Sequence, residues 1–232
     1  MNGMPPSKTP LKTSTPLKNF QIVFLLLFAL MLMIQGWGDR QGLFSHPARM
    51  LFIAALAFNV LILLFVPFEL FESGQQEVQR QRWPTFLALV AIGASLWFLP
   101  YADKHEIWVW PDNDFLRYLG LCCVVIGAGV RVAGTAQLGP LFSTFVAIQQ
   151  EHVLVTTGLY RWVRHPIYTG SLLAVVGFFL VFRSKLLWAA LPLYLFGTLW
   201  RIYDEERLLS EAFGEEYRRY QARTWRLLPF LY

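Results

Sequence analysis

Apolar runs long enough to cross a lipid bilayer recur along this chain, and they constrain its fold more than any other feature. Residues 20–37, 50–71, 83–99, 116–138, 167–182 and 186–203 are each dominated by Leu, Ile, Val, Phe, Ala and Trp. A hydrocarbon core about 30 Å thick takes about 20 residues of helix. Lipid offers no partner for an open backbone N–H or C=O, so runs of this kind are expected to be helical. The chain is 56% hydrophobic and only 15% charged, against roughly a quarter charged in an ordinary soluble domain. The expectation is an all-α, polytopic integral membrane protein with about six helices. The fifth run is the shortest, about 24 Å at 1.5 Å per residue, and Arg183-Ser184-Lys185 leaves room only for a tight hairpin with the sixth.

Three segments follow from this pattern. Residues 1–19 are rich in Pro, Ser, Thr and Lys, with little to bury, and are expected to form a disordered tail. Lys8, Lys12 and Lys18 before an apolar run resemble a signal peptide, but Gln35-Gly36-Trp37-Gly38 is a poor cleavage site, so the first helix is expected to be retained. Residues 20–138 carry four transmembrane helices. Residues 139–232 carry the polar motifs, the hairpin and a last stretch, 204–223, with Leu208, Leu209, Ala212, Phe213, Tyr217 and Tyr220 at helical spacing. That spacing predicts an amphipathic helix at the membrane surface, with Gly214 as a possible break.

Charge sets the orientation. With the tail inside, Lys8, Lys12, Lys18, Arg80, Arg82, Arg161, Arg164, Arg201, Arg207 and the arginines from 218 to 226 fall on inner segments. Arg40, Arg49, Lys104, Arg117, Arg183 and Lys185 fall outside. The balance predicts cytoplasmic termini and an active site at the cytoplasmic face. The net charge of +5 is read as this topology rather than as nucleic-acid binding. Cys122 and Cys123, adjacent in an apolar run, form no zinc or disulfide pattern and read as buried small hydrophobes. No other cluster suggests a metal. The fourth helix carries a stripe of Gly120, Gly127, Arg131 and Gly134, which predicts close helix contact. Arg131 either points along that stripe into a site or snorkels to headgroups.

Polar and reactive side chains crowd into residues 152–170, with His152, His165, Arg161, Arg164, Tyr160 and Tyr168 around Pro166. Pro166 disfavours helix at His165, so a break is expected there. Gly158 and Gly170 read as points of backbone freedom or close approach. A broken polar segment beside membrane helices is tolerated where protein buries it or a wet cavity adjoins it. That describes a site.

His152-x-Leu154-Val155-x-x-Gly158-x-Tyr160, Arg164-His165-Pro166-x-Tyr168-x-Gly170, Asp204-Glu205-Glu206-x-x-Leu209 and Phe213-Gly214-Glu215-Glu216-Tyr217-x-x-Tyr220 together resemble the motifs of the isoprenylcysteine carboxyl methyltransferase family. The resemblance covers residues 139–232. It implies a membrane enzyme that moves the methyl group of S-adenosylmethionine to a lipophilic or lipid-modified acceptor, within membrane lipid and without a metal. It further implies that His152, Val153, Leu154, Val155, Tyr160, His165, Pro166, Ile167, Tyr168 and Glu205 bind the cofactor. Arg201 then matches the family's substrate-binding arginine and is the residue expected to act on the reaction. Spacing of four puts Arg201 and Glu205 on one helix face.

Taken singly, these residues have plainer readings: interfacial histidines, a surface ion pair of Arg201 with Glu205, and an aromatic and basic anchor belt. A carboxylate is nucleophilic at neutral pH, whereas an amine needs a base. No base stands apart from the cofactor motifs, which favours a carboxylate or thiolate over a lipid amine. Two other functions fit a chain of this kind. An NADPH-dependent membrane reductase needs a basic patch for the extra phosphate. A transporter or anchoring subunit needs mid-membrane polar groups, and the first three helices show little beyond Asn59.

Overall fold

A computed structural model describes residues 15–62, 76–77, 82–139, 147–148 and 153–229. The architecture is built on helices: α1 (Thr15–Trp37), α2 (Arg40–Phe44), α3 (Pro47–Leu61), α4 (Arg82–Lys104), α5 (Asp114–Leu138), α6 (Pro166–Val181), α7 (Leu187–Phe213) and α8 (Glu215–Gln221). Two-residue strands β1 (Gln76–Glu77) and β2 (Ala147–Ile148) pair antiparallel, Gln76 opposite Ile148. Three of the described helices, α1, α4 and α5, are long and apolar enough to cross a membrane, and α3 and α6 are shorter apolar helices. The outward faces of α1 and α4 are apolar, with Phe20, Phe24, Leu27, Phe86 and Leu87 exposed. Such faces suit lipid rather than water.

The helix ends differ from expectation in several places: α3 begins at Pro47 rather than at residue 50, and α4 runs to Lys104 rather than residue 99. α1 begins at Thr15 rather than at residue 20. α7 does not stop at residue 203 but runs for 27 residues to Phe213, about 40 Å at 1.5 Å per residue. The first part of the amphipathic stretch is therefore a continuation of α7, and only α8 is a separate element. Gly214 makes the break, with φ of 52°, a conformation that glycine adopts without a Cβ clash. Residues 63–71, expected as the end of the second apolar helix, and residues 1–14 of the tail lie outside the described residues. Cys122 is exposed and Cys123 half-buried, contrary to the buried reading. On a lipid-facing helix surface a thiol is as much at home as in a core.

α5 and α6 form the tightest pair, and glycine is the reason. A Cβ on Gly127 would lie 2.5 Å from the Gly170 carbonyl oxygen, and one on Gly120 would lie 2.7 Å from that of Gly177. The contact is reciprocal and sevenfold-spaced on both helices, so the backbones touch along a seam. Gly170 thus serves helix packing inside α6 rather than a loop. Arg131 continues the seam one turn on from Gly127: a Cβ on Gly170 would meet its backbone nitrogen and its Cγ, each at 2.9 Å. Phe52 joins α3 to this pair by stacking on Phe178, ring centroids 5.0 Å apart.

At one end of the seam three of the four arginines counted as outer charges, Arg49, Arg117 and Arg183, turn inward. The Asp103 carboxylate is fully enclosed and accepts from Arg117 through both terminal nitrogens, at 2.8 and 3.0 Å. Arg183 Nε donates to it at 2.6 Å and Arg49 Nη1 at 3.4 Å. Asp112 accepts from Arg117 Nε at 2.8 Å. Further donors go to backbone carbonyls: Arg117 to Val181, Arg183 to Trp110 and Arg49 to Leu43. Arg49 also lies over the Trp37 ring, 4.1 Å from its centroid. This cluster ties α3, α4, α5 and the α6–α7 turn together. Arg183, one of the charges assigned to the outer side, thus serves packing.

Candidate active site

The opposite end of the seam is where the motifs meet. Pro166 stands at the first helical position of α6, with His165 as N-cap. Proline fits there because the N–H it lacks has no intrahelical partner. Just before it, Gly158 adopts φ of 60° and opens a short 3₁₀ turn over Gly158–Arg161. A Cβ there would strike the Gln137 side chain at 2.4 Å, while Gln137 Oε1 accepts from Leu159 N at 2.9 Å. That turn delivers His165 and Tyr168 to the exposed continuation of α7.

Four expected site residues converge. Arg201 Nε donates to the Tyr168 hydroxyl at 2.7 Å, and that hydroxyl donates to Glu205 Oε2 at 2.9 Å. Arg201 also lies 5.9 Å from the Tyr168 ring centroid. His165 Nδ1 is 3.8 Å from Glu205 Oε1, and its ring sits 5.7 Å from that of Tyr168. The Glu205 side chain is 34% exposed, whereas His165 is 2% exposed. A partly open carboxylate therefore stands beside a buried imidazole and a tyrosine-linked guanidinium.

Glu206, which sequence reasoning left without a role, holds this arrangement from behind. Its Oε1 accepts from Arg164 Nε at 2.9 Å, faces His165 Nε2 at 3.3 Å and accepts from Arg226 Nε at 3.3 Å. Arg226 Nη2 reaches the other oxygen at 2.8 Å. A carboxylate only accepts, so His165 Nε2 carries the proton. Burial alone would raise the Glu206 pKa, but the hydrogen bonds and charges of His165 and Arg164 win and hold it at about 2. The spacing of Thr198, Ile202 and Glu206, all buried, is the signal that could have found it: steps of four on one face of α7. Arg164 is not a lipid contact. It is turned inward, donating also to the carbonyls of Gln221 and Thr224.

The C-terminal stretch lies across the motif as a strap. Arg164 N and His165 N donate to the carbonyls of Trp225 and Arg226 at 2.8 and 3.2 Å, and Thr169 Oγ1 donates to that of Leu227 at 2.6 Å. Tyr220 Oη donates to the Tyr160 carbonyl at 2.7 Å. Tyr217 is 1% exposed, and its hydroxyl has no hydrogen-bond partner among the described residues. Burial, with Glu206 and Glu205 close by, pushes its pKa well up.

The other expected residues stand apart from this cluster. Tyr160 is buried and points at the Gly134 carbonyl, 3.4 Å away, and Ile167 packs where a Gly134 Cβ would be. Both face α5. Val153, Leu154 and Val155 form a non-helical lead into the 3₁₀ turn, and Leu154 borders a separate surface cavity. His152 lies outside the described residues. Among the described residues no three His, Cys, Asp or Glu side chains gather as metal ligands.

Comparison with known proteins bears on this geometry. The sequence model of the isoprenylcysteine carboxyl methyltransferase family matches residues 119–211, from α5 through the site-bearing part of α7. A probable protein-S-isoprenylcysteine O-methyltransferase of Oryza sativa subsp. indica is 35% identical over 140 residues, 57% of this chain and 68% of that protein. The Homo sapiens protein-S-isoprenylcysteine O-methyltransferase is 33% identical over 132 residues, 53% of this chain and 45% of that protein. A solved structure of the eukaryotic intramembrane Ras methyltransferase shares the fold, with a TM-score of 0.51 at 22% identity over 96% of this chain and 88% of that one. The chain belongs to the isoprenylcysteine carboxyl methyltransferase family and is an integral membrane methyltransferase.

Proposed function

We propose that this protein transfers a methyl group from S-adenosylmethionine to a lipophilic carboxylate, that of an isoprenylcysteine above all, at the cytoplasmic face of the membrane. The observation that carries the reading is the Tyr168 hydroxyl, which joins Arg201 to Glu205 in one hydrogen-bonded line. Residues 139–232 form the methyltransferase module in this reading. The names of the rice and human relatives support the acceptor, and the basic residues of the site end support the cytoplasmic face.

The residues present fit the proposed cofactor. Its amino-acid end carries an ammonium and a carboxylate, and the site pairs the open Glu205 carboxylate with the N-terminus of α6, whose dipole favours an anion. The buried Tyr217 hydroxyl, which has no hydrogen-bond partner among the described residues, adds a further polar contact in this reading. When bound, S-adenosylmethionine supplies a methyl carbon already activated by a sulfonium.

The chain's own part is to bind, orient and keep out water. Arg201 offers a planar guanidinium, with Nε committed to Tyr168 so that the plane is fixed. Such a fork holds an acceptor carboxylate by parallel hydrogen bonds and aims one oxygen. Glu205, four residues on, holds the ammonium end, so acceptor and cofactor are set by the same face of one helix. A carboxylate needs no base to become nucleophilic at neutral pH. His165 is correspondingly tied to Glu206 rather than presented as a free base.

Purified protein given methyl-labelled S-adenosylmethionine and three prenylated acceptors, a cysteine carboxylate, an amine and a thiol, should label the carboxylate as an alkali-labile ester. Arg201→Lys keeps the charge and loses the fork. It should lower turnover on the order of a hundredfold, as for a misplacement of about 1 Å, with cofactor affinity nearly unchanged. Label in the amine or thiol would move the acceptor class. Wild-type turnover in Arg201→Lys would remove the arginine from the mechanism.

A further inference from the structure

Beyond the reaction centre, a second site opens on the surface between the 3₁₀ turn and α8. It is a cavity of about 580 Å³ walled by Leu154, Arg161, Trp162, Glu216, Arg219 and Arg223. Pockets that take small ligands run from about 300 to 1,000 Å³. Three arginines face one glutamate. Among the described residues none of the three is in an ion pair, whereas the neighbouring Arg207 and Arg218 are paired with Glu211 and Glu215. Arg161 lies over the Trp162 ring, 5.4 Å from its centroid.

The position of the cavity limits what can fill it. Trp162 is four residues before the start of α6 at Pro166, and its neighbour Val163 is bridged to Trp225. Trp162 is 63% exposed, Trp225 40% and Leu228 38%. Exposed tryptophans at the mouth of a membrane helix mark the headgroup level. Arginines in excess at that level attract anionic lipid, each contributing roughly 1 kcal/mol near the surface. Of the residues that the family resemblance gives to the cofactor, Leu154 borders this wall, whereas His165, Tyr168, Arg201 and Glu205 do not line it.

We propose that this cavity binds the phosphate-bearing headgroup of an acidic phospholipid, with Arg161, Arg219 and Arg223 as its donors and Trp162 at the acyl-chain boundary. Bound there, the lipid clamps α8 to the turn that leads into His165 and makes the enzyme sensitive to the anionic content of its leaflet.

The test uses the full-length protein in detergent with tail-labelled phosphatidylglycerol. Unlabelled phosphatidylglycerol should displace the label, and phosphatidylcholine, inorganic phosphate and an acidic peptide at the same concentration should not. Arg219→Gln with Arg223→Gln should weaken binding at least about tenfold. Arg207→Gln with Arg218→Gln removes the same charge and should leave binding within about twofold. Equal losses in the two double variants, or no loss in either, would overturn the site. Displacement by phosphatidylcholine would reduce the cavity to a general lipid contact, displacement by phosphate to a free-anion site, and displacement by the peptide to a protein-docking surface. Each of these overturns the proposal. So does a matching fall in S-adenosylmethionine affinity in Arg219→Gln/Arg223→Gln, which would assign the cavity to the cofactor.

Discussion

Two clusters of arginines and carboxylates sit at opposite ends of the α5–α6 seam, built from the same residue types to different ends. Around Asp103 the carboxylate is fully enclosed, and Arg117, with 1% of its side chain exposed, spends its donors on Asp103, Asp112 and a backbone carbonyl. Around Glu205 and Glu206 only the second carboxylate is closed in: Glu206 is 7% exposed and Glu205 34%. The first cluster is a lock. The second is half lock and half open, with the division falling between adjacent residues on α7. Burial and partner count, rather than charge, separate a structural ion cluster from one available to a ligand.

Breaking the lock should have the largest effect. Asp103→Ala leaves Arg49, Arg117 and Arg183 buried without their shared anion, and such losses cost roughly 3–5 kcal/mol. A sharp drop in apparent melting temperature in detergent, or failure to accumulate folded protein, is expected. Asp103→Asn keeps the volume and should rescue only part. A melting temperature within a degree or so of wild type for both variants, by the same thermal scan, would show that the cluster does not carry the fold.

The second effect is at Glu206 and depends on pH. Its folded pKa of about 2 lies below the ordinary 4.5, so the charged form is favoured by folding. The stability this adds is fully present above about pH 4.5 and is lost as pH falls toward 2. At about 1.4 kcal/mol per unit the gap is on the order of 3 kcal/mol. Glu206→Gln should therefore lower the melting temperature at pH 7 and flatten its decline between pH 4.5 and 2. It should also expose the strap at 224–229 to proteases. An unchanged acid profile would mean that other carboxylates govern it.

How far the sequence reveals these two ends is itself unequal. His165, Tyr168, Arg201 and Glu205 were legible because they lie in ordered motifs with short spacing, and the helical step of four brings Arg201 and Glu205 to one face. The Asp103 cluster was not. Its arginines come from positions 14, 54 and 80 residues away in the chain, and a rule that counts loop charges treats each as solvated. Glu206 was obscured by its neighbour, although its alignment with Thr198 and Ile202 marked it as buried. The break at Gly214 was legible from the residue type alone. The length of α7 was not, because the change from apolar to charged composition at residue 204 looks like an end, whereas the backbone needs only an uninterrupted helical run.

The smallest of the three effects sharpens the contrast most, because it should touch binding and nothing else. Glu205→Gln preserves shape and leaves an amide oxygen to accept from Tyr168, so the line through Tyr168 to Arg201 survives. What disappears is the negative charge proposed to meet the ammonium of the cofactor. A hydrogen bond to a charged group contributes roughly 1.5–3 kcal/mol, and the lower figure is about tenfold in affinity. Calorimetry should thus show S-adenosylmethionine binding weakened about tenfold or more. The melting temperature of the free protein should stay close to wild type, since a side chain one-third open to its surroundings adds little to folding. The opposite pattern, a destabilised protein with unaltered affinity, would make Glu205 a second Glu206. The site end would then be as closed as the Asp103 end, and the cofactor's ammonium would have to be met by another carboxylate.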